Sequence, residues 1–146
     1  MTWTVLMTEA TLLGLKVAIL GRRVLLVAFG GALGSVLRYL VGLWAGQMLD
    51  PTFPWGTLMV NILGCFMIGA LATLADEVGA IGPEARALLI VGVLGGFTTF
   101  SSFALDTQRL LEASELLRAT LYVGGSLAIS FAGTLLGIGF IRVIYR

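Results

Sequence analysis

Four apolar stretches, each long enough to cross a bilayer, leave this chain of 146 residues few other ways to fold. A spanning α-helix needs about 20 predominantly apolar residues. The stretches run from Val24 to Gly46, Trp55 to Ala75, Glu84 to Leu105 and Arg118 to Ile144. They consume residues 24–146 and leave short loops, with no room for a separate soluble domain. Composition agrees: 58% of residues are hydrophobic and 12% charged, about half the charge of an ordinary soluble domain. The expected fold class is an all-α integral membrane protein with four transmembrane helices and the lipid bilayer as its solvent.

The breaks between spans carry the expected chemistry. The first loop holds Asp50, Pro51 and Pro54, which stop helices, and Trp44 and Trp55 flank it as an interfacial aromatic belt would. The second holds Asp76, Glu77, Gly79, Gly82 and Pro83. Proline suits the first turn of a helix, where its missing N–H would be unpaired anyway. The third is read as a charged loop containing Asp106, Arg109, Glu112, Glu115 and Arg118. Residues 1–23 form an N-terminal extension, too short in apolar length to span and without the basic start of a signal peptide. It is expected to be interfacial or poorly ordered. Lys16, Arg22, Arg23, Arg86, Arg142 and Arg146 collect on one side, against Arg109 and Arg118 on the other. This six-to-two bias favours a cytoplasmic N-terminus, and it falls to three against two without the extension.

Several function classes are disfavoured at once. A net charge of +1 argues against a nucleic-acid partner. Histidine is absent and the one cysteine, Cys65, lies in an apolar run, so neither an internal disulfide nor a metal cluster is expected. No nucleophile–base pair is visible, so the chain is not expected to be an enzyme. All eight acidic residues fall in the tail, loops or helix ends, which weighs against a proton-coupled pump. The one charge well inside a span is Arg38. A buried arginine marks an ion or substrate pathway, and cationic pores favour anions.

The remaining intramembrane polar residues form patterns. Gly30, Gly34, Arg38, Gly42 and Gly46 are spaced by four, a stripe that lets helices approach closely. Gly92 and Gly96 repeat the spacing, as do Gly133 and Gly137. Asn61 is the only strongly polar residue inside the second span; it could bond between helices or line a path. Tyr122, Ser126, Ser130 and Thr134 set hydroxyls along one face of the fourth, a track of O–H donors without fixed charge.

The third span is the most anomalous. Gly95 to Phe103 reads GGFTTFSSF where uniform apolarity is expected. Irregular backbone at membrane depth is tolerated only where protein or a polar cavity surrounds it. Gly95 and Gly96 weaken the helix, and an opening there would free carbonyls able to bind a small hard cation such as sodium. Phe100 and Phe103 share a face, and their positive ring edges could contact a small anion.

Three motifs in order, GGALGSVLRY (Gly30 to Tyr39), GTLMVNILGCFMIG (Gly56 to Gly69) and GGFTTFSSF, resemble the CrcB/Fluc family of fluoride channels over roughly Leu25 to Arg142. The resemblance implies an antiparallel homodimer with the third helix broken near its middle. Two pores would run along the interface and pass fluoride passively while excluding chloride. It also implies a central structural sodium ion held by the carbonyls of Gly95 and Thr98. The fluoride pathway would comprise Asn61, Phe100, Phe103, Tyr122, Ser126, Ser130 and Thr134, with Arg38 from the first motif. The setting would be a bacterial or archaeal cell (inner) membrane. Two rivals stand beside it. A small antiparallel-dimer multidrug exporter would need an intramembrane glutamate. A non-transporting membrane-assembly subunit would explain the glycines but not Arg38, Asn61 and the hydroxyls together.

Overall fold

The computed structural model describes the backbone of residues 3–146 and the side chains of residues 14–146. Every regular element among them is helical. Helix α1 is Trp3–Met48 and α2 is Trp55–Asp76. The third run begins as α-helix Pro83–Arg86, widens into π-type turns over Ala87–Leu94 and closes as α-helix Gly95–Phe97; these pieces together are α3. Helix α4 is Phe100–Glu112 and α5 is Leu116–Ile144. Four helical runs, Gly14–Met48, Trp55–Asp76, Pro83–Glu112 and Leu116–Ile144, are long and apolar enough to cross a membrane. Large apolar side chains stand exposed along them, among them Leu25, Phe29, Leu117 and Phe131, as lipid-facing surfaces require.

Helix α1 is unbroken for 46 residues, about 69 Å at 1.5 Å per residue, so the predicted extension continues the first span's backbone. Of that extension, residues 1–2 and the side chains up to residue 13 lie outside the described residues. The third loop differs from its reading. Asp106, Arg109 and Glu112 are helical, Arg118 lies in the first turn of α5, and only Ala113–Glu115 stand between the two helices. Polar side chains support each other along the helix instead of breaking it: Arg109 lies 3.7 Å from Asp106, and the Gln108 amide Nε2 donates to Glu112 at 3.1 Å.

The turn is closed by backbone geometry. Glu115 N–H bonds Leu110 O at 2.9 Å and Ser114 N–H bonds Leu111 O at 3.0 Å, the paired pattern that ends a helix on a left-handed residue. Ser114 takes that conformation with φ 60°, which glycine would adopt without the side-chain penalty.

Packing falls into two helix pairs, α1 on α3 and α2 on α5, each joined by glycines against bare backbone. A Cβ placed on Gly34 would lie 2.9 Å from Phe97 N and nearer still to Val93 O. One on Gly137 would lie 2.9 Å from Ala70 N and 3.1 Å from Phe66 C. The four-residue stripe on α1 is thus not uniform. Gly30 and Gly34 press on α3, Gly42 receives Gly56, and a Cβ on Gly46 would meet nothing within 4 Å. Arg142 clamps one end of the α2–α5 pair, its Nε 2.9 Å and Nη2 2.6 Å from the two Glu77 carboxylate oxygens. That guanidinium holds the Glu77 carboxyl below its usual range. At the other end, hydrogen bonds from Thr52 lower Asp50 in the same way.

Two stability predictions follow from these contacts. Gly34→Ala should sharply lower the thermal midpoint in detergent, because neither neighbour is a side chain that can move aside, whereas Gly46→Ala should leave it nearly unchanged. Ser114→Gly should raise the midpoint, by relief of about 1 kcal/mol of left-handed strain.

Candidate functional site

An open groove of about 340 Å³ runs between α2, the α3–α4 junction and α5. Asn61 lines it from α2, and Gly95 and Thr98 line it from the junction. Phe100 and Phe103 enter from α4, and Ser126 and Ser130 from α5. Seven of the ten residues singled out in the sequence therefore meet in one place. Tyr122, Thr134 and Arg38 do not line it.

The junction is built by side chains that intercept backbone donors. Thr98 (φ −83°, ψ 158°) and Thr99 (φ −155°, ψ 122°) are extended. In an uninterrupted helix, Thr99 N–H would bond Gly95 O and Ser102 N–H would bond Thr98 O. Instead Thr99 N–H donates to Asn61 Oδ1 at 2.8 Å, and Ser102 N–H donates to Thr99 Oγ1 at 3.2 Å as a helix N-cap. Asn61 Nδ2 completes the pair by donating to Thr99 O at 3.0 Å. Gly95 and Thr98 thus lose their helical donors. The opening lies beyond the glycines expected to cause it: Gly95 itself is helical at φ −63° and ψ −35°. Gly96 serves close approach, since a Cβ there would sit 3.1 Å from the carbonyl carbon of Gly31.

Carbonyls freed in this way are hard oxygen donors, of the kind that can ligate a small cation. No group of three or more His, Cys, Asp or Glu able to hold a metal occurs among the described residues. Arg38 reaches the same junction from α1, donating from Nε to Gly96 O at 3.0 Å. Its charge is therefore directed to the backbone beside the groove.

The aromatic residues form a chain. Phe100 and Phe103 have centroids 5.5 Å apart, Phe103 and Tyr122 5.3 Å, and Tyr122 and Phe53 5.7 Å with an edge-on angle of 87°. Phe100 is 77% exposed, so one wall of the groove is open. On α5, Tyr122 is 1% and Ser126 5% exposed, and both buried hydroxyls lack a hydrogen-bond partner. Buried polar atoms are rarely left unpaired; of the two, only Ser126 lines the groove and is a candidate to receive a ligand, while the Tyr122 hydroxyl has Thr57 and Asp106 as neighbours. Thr134 instead bonds back to Ser130 O at 3.3 Å, which separates it from the rest of the track.

Asp106 and Thr57 were missed in the sequence reading. The Asp106 side chain is only 17% exposed, and its Oδ2 accepts a hydrogen bond from Thr57 Oγ1 at 2.7 Å. This places a carboxylate next to the aromatic chain, in a helix and not in a loop. The signal was present: Asp106 follows Phe103 by three residues and Thr57 precedes Asn61 by four, so each shares its neighbour's helix face.

Four helical runs long and apolar enough to cross a bilayer define a multi-pass membrane protein. Comparison with known proteins gives the family. Residues 25–138 match the model of the CrcB-like protein family, described as Camphor Resistance (CrcB), and the chain belongs to that family. It is 49% identical over 120 residues to a protein of Rhizobium etli named "Fluoride-specific ion channel FluC", covering 82% of this chain and 96% of that protein. Proteins of the same name from Rhizobium meliloti and Rhodospirillum centenum are 49% and 47% identical over 121 residues, covering 83% of this chain and 97% and 96% of theirs. The name of these relatives describes ion conduction, not catalysis.

Asn61 supports the opened backbone with two bonds, whereas no side-chain hydrogen bond of Ser130 is present among the described residues. Asn61→Ala should therefore destabilise by about 2 kcal/mol, and Ser130→Ala by much less, in thermal melts of the purified protein.

Proposed function

We propose that this protein is a passive, selective fluoride channel that releases fluoride from the cytoplasm down its gradient. The observation that carries the reading is the meeting of opened backbone, the unpartnered Ser126 hydroxyl and two phenylalanine rings in one groove, in a chain similar over most of its length to proteins named fluoride-specific ion channels. Fluoride is small and strongly hydrated, and burying it without partners would be costly. The groove offers replacements for its water: the hydroxyls of Ser126 and Ser130, Tyr122 next along the same helix face, and the second Asn61 N–H, which the Thr99 bond leaves free. Ring edges of Phe100 and Phe103 add positive electrostatic contact while excluding water. Thr134 extends the track, and Arg38 contributes at longer range. Such a path needs no energy source beyond the gradient.

The working unit is an antiparallel homodimer with two pores, inserted in both orientations in a bacterial or archaeal inner membrane. In support, the groove lacks a wall on the side where Phe100 is exposed, and a second copy would supply one. The third span is opened at Thr98–Thr99, and a structural sodium ion would be held there by the carbonyls of Gly95 and Thr98. When bound it supplies fixed positive charge without chemistry of its own.

Purified protein in liposomes should release fluoride, read with a fluoride electrode, and should not release chloride. Equal chloride flux, or none of either, would refute the proposal. Phe100→Ile and Phe103→Ile should slow fluoride efflux severalfold while dimers remain intact by size-exclusion chromatography. Unchanged flux would assign those rings to packing.

A further inference from the structure

Arg38 is the charge that α1 carries deepest into the bundle, and its contact is specific. It bonds neither a carboxylate, among the described residues, nor the groove, but the carbonyl of Gly96. Gly96 stands one residue after Gly95 and two before Thr98, inside the short run whose carbonyls the junction sets free. Two consequences follow. The Gly96 oxygen is occupied, so it is not offered to a cation held by its neighbours. A full positive charge also stands beside the donor set, and it repels a divalent ion twice as strongly as a monovalent one at the same distance.

Calcium sites ordinarily gather six to eight oxygens and include carboxylates. The junction has none among its lining residues. Bare carbonyls also ligate calcium, so a site of this kind excludes calcium only if something beyond its ligands opposes a divalent charge. We infer that Arg38 does so: a positioning residue that caps Gly96 and keeps the Gly95 and Thr98 carbonyls a site for a monovalent ion. The inference rests on the proposed sodium site. The register is supplied by α1 itself, since Gly31 packs on Gly96 two helical turns before Arg38 reaches the same residue.

The experiment is a thermal melt of the purified dimer in detergent without fluoride, in sodium chloride, calcium chloride or choline chloride at matched ionic strength. Wild-type protein should be stabilised by sodium and not by calcium. Arg38→Gln should gain a calcium response, with the half-effect concentration falling about tenfold or more, while Arg38→Lys, which keeps the charge, should still exclude calcium. An assembled Arg38→Gln dimer that responds to sodium alone would overturn the inference and leave the sodium site standing, as would a lysine variant that admits calcium. A wild-type protein indifferent to both salts would overturn the sodium site and the inference together. Arg38→Met provides a second neutral variant should glutamine fail to assemble, and is read by the same outcomes.

Discussion

The hydrogen-bonding requirement of a backbone at membrane depth governs this molecule, and Asn61 is where it is met by a side chain. An extended pair of residues inside a spanning run would ordinarily leave amide and carbonyl groups without partners, at several kcal/mol each. The Asn61 amide presents one acceptor and one donor to Thr99 and so imitates a strand of backbone. Thr99 does the same for the next helix by capping Ser102. What is left over is specific: two carbonyls without helical donors, in residues that line the groove. The site is therefore a remainder of the fold's own hydrogen-bond accounting and needs no separate scaffold.

That junction is held in place by helices that meet backbone to backbone. The glycines of α1 and α5 bring carbonyl oxygens of the facing helix to within contact of an α-carbon, where weak Cα–H···O contacts can form. In lipid there is no hydrophobic gain from pressing apolar side chains together, so close approach of this kind has to supply the attraction. The π-type turns over Ala87–Leu94 lie along the same contact, where Gly92 meets Gly30. The wide turns and the glycine seam thus coincide on one face of α3.

Much of this was legible in the chain. Apolar length and helix breakers located the spans, since both act locally. Asn61, the phenylalanines and the serines stood out because each is unusual in an apolar run, and the groove brings them together. Three features were less visible. The opening was assigned to Gly95–Gly96 because glycine weakens helices, but the amide that is withdrawn belongs to Thr99, and the residue that withdraws it lies 38 positions earlier. Asp106 was read as a loop residue because charge ordinarily marks the membrane's edge, yet α4 continues past it and Thr57 satisfies it from another helix. Arg38 was read as marking an ion path from within a helix interface, and the partner it finds there, a carbonyl 58 residues away, was not legible. Each miss concerns a contact between distant segments, which local composition does not encode.

The glycine seams also bear on how such a chain can vary over generations. An interface made of main-chain atoms is blind to most of the alphabet: substitutions on the lipid side leave it untouched, while a slip of one residue along the axis drives a side chain into a carbonyl. Registry is thereby held digitally, by steric veto, and not by the summed fit of many side chains. A substitution on the lipid face of this chain alters none of those backbone contacts. Inheritance of the shape is concentrated in a few absent side chains.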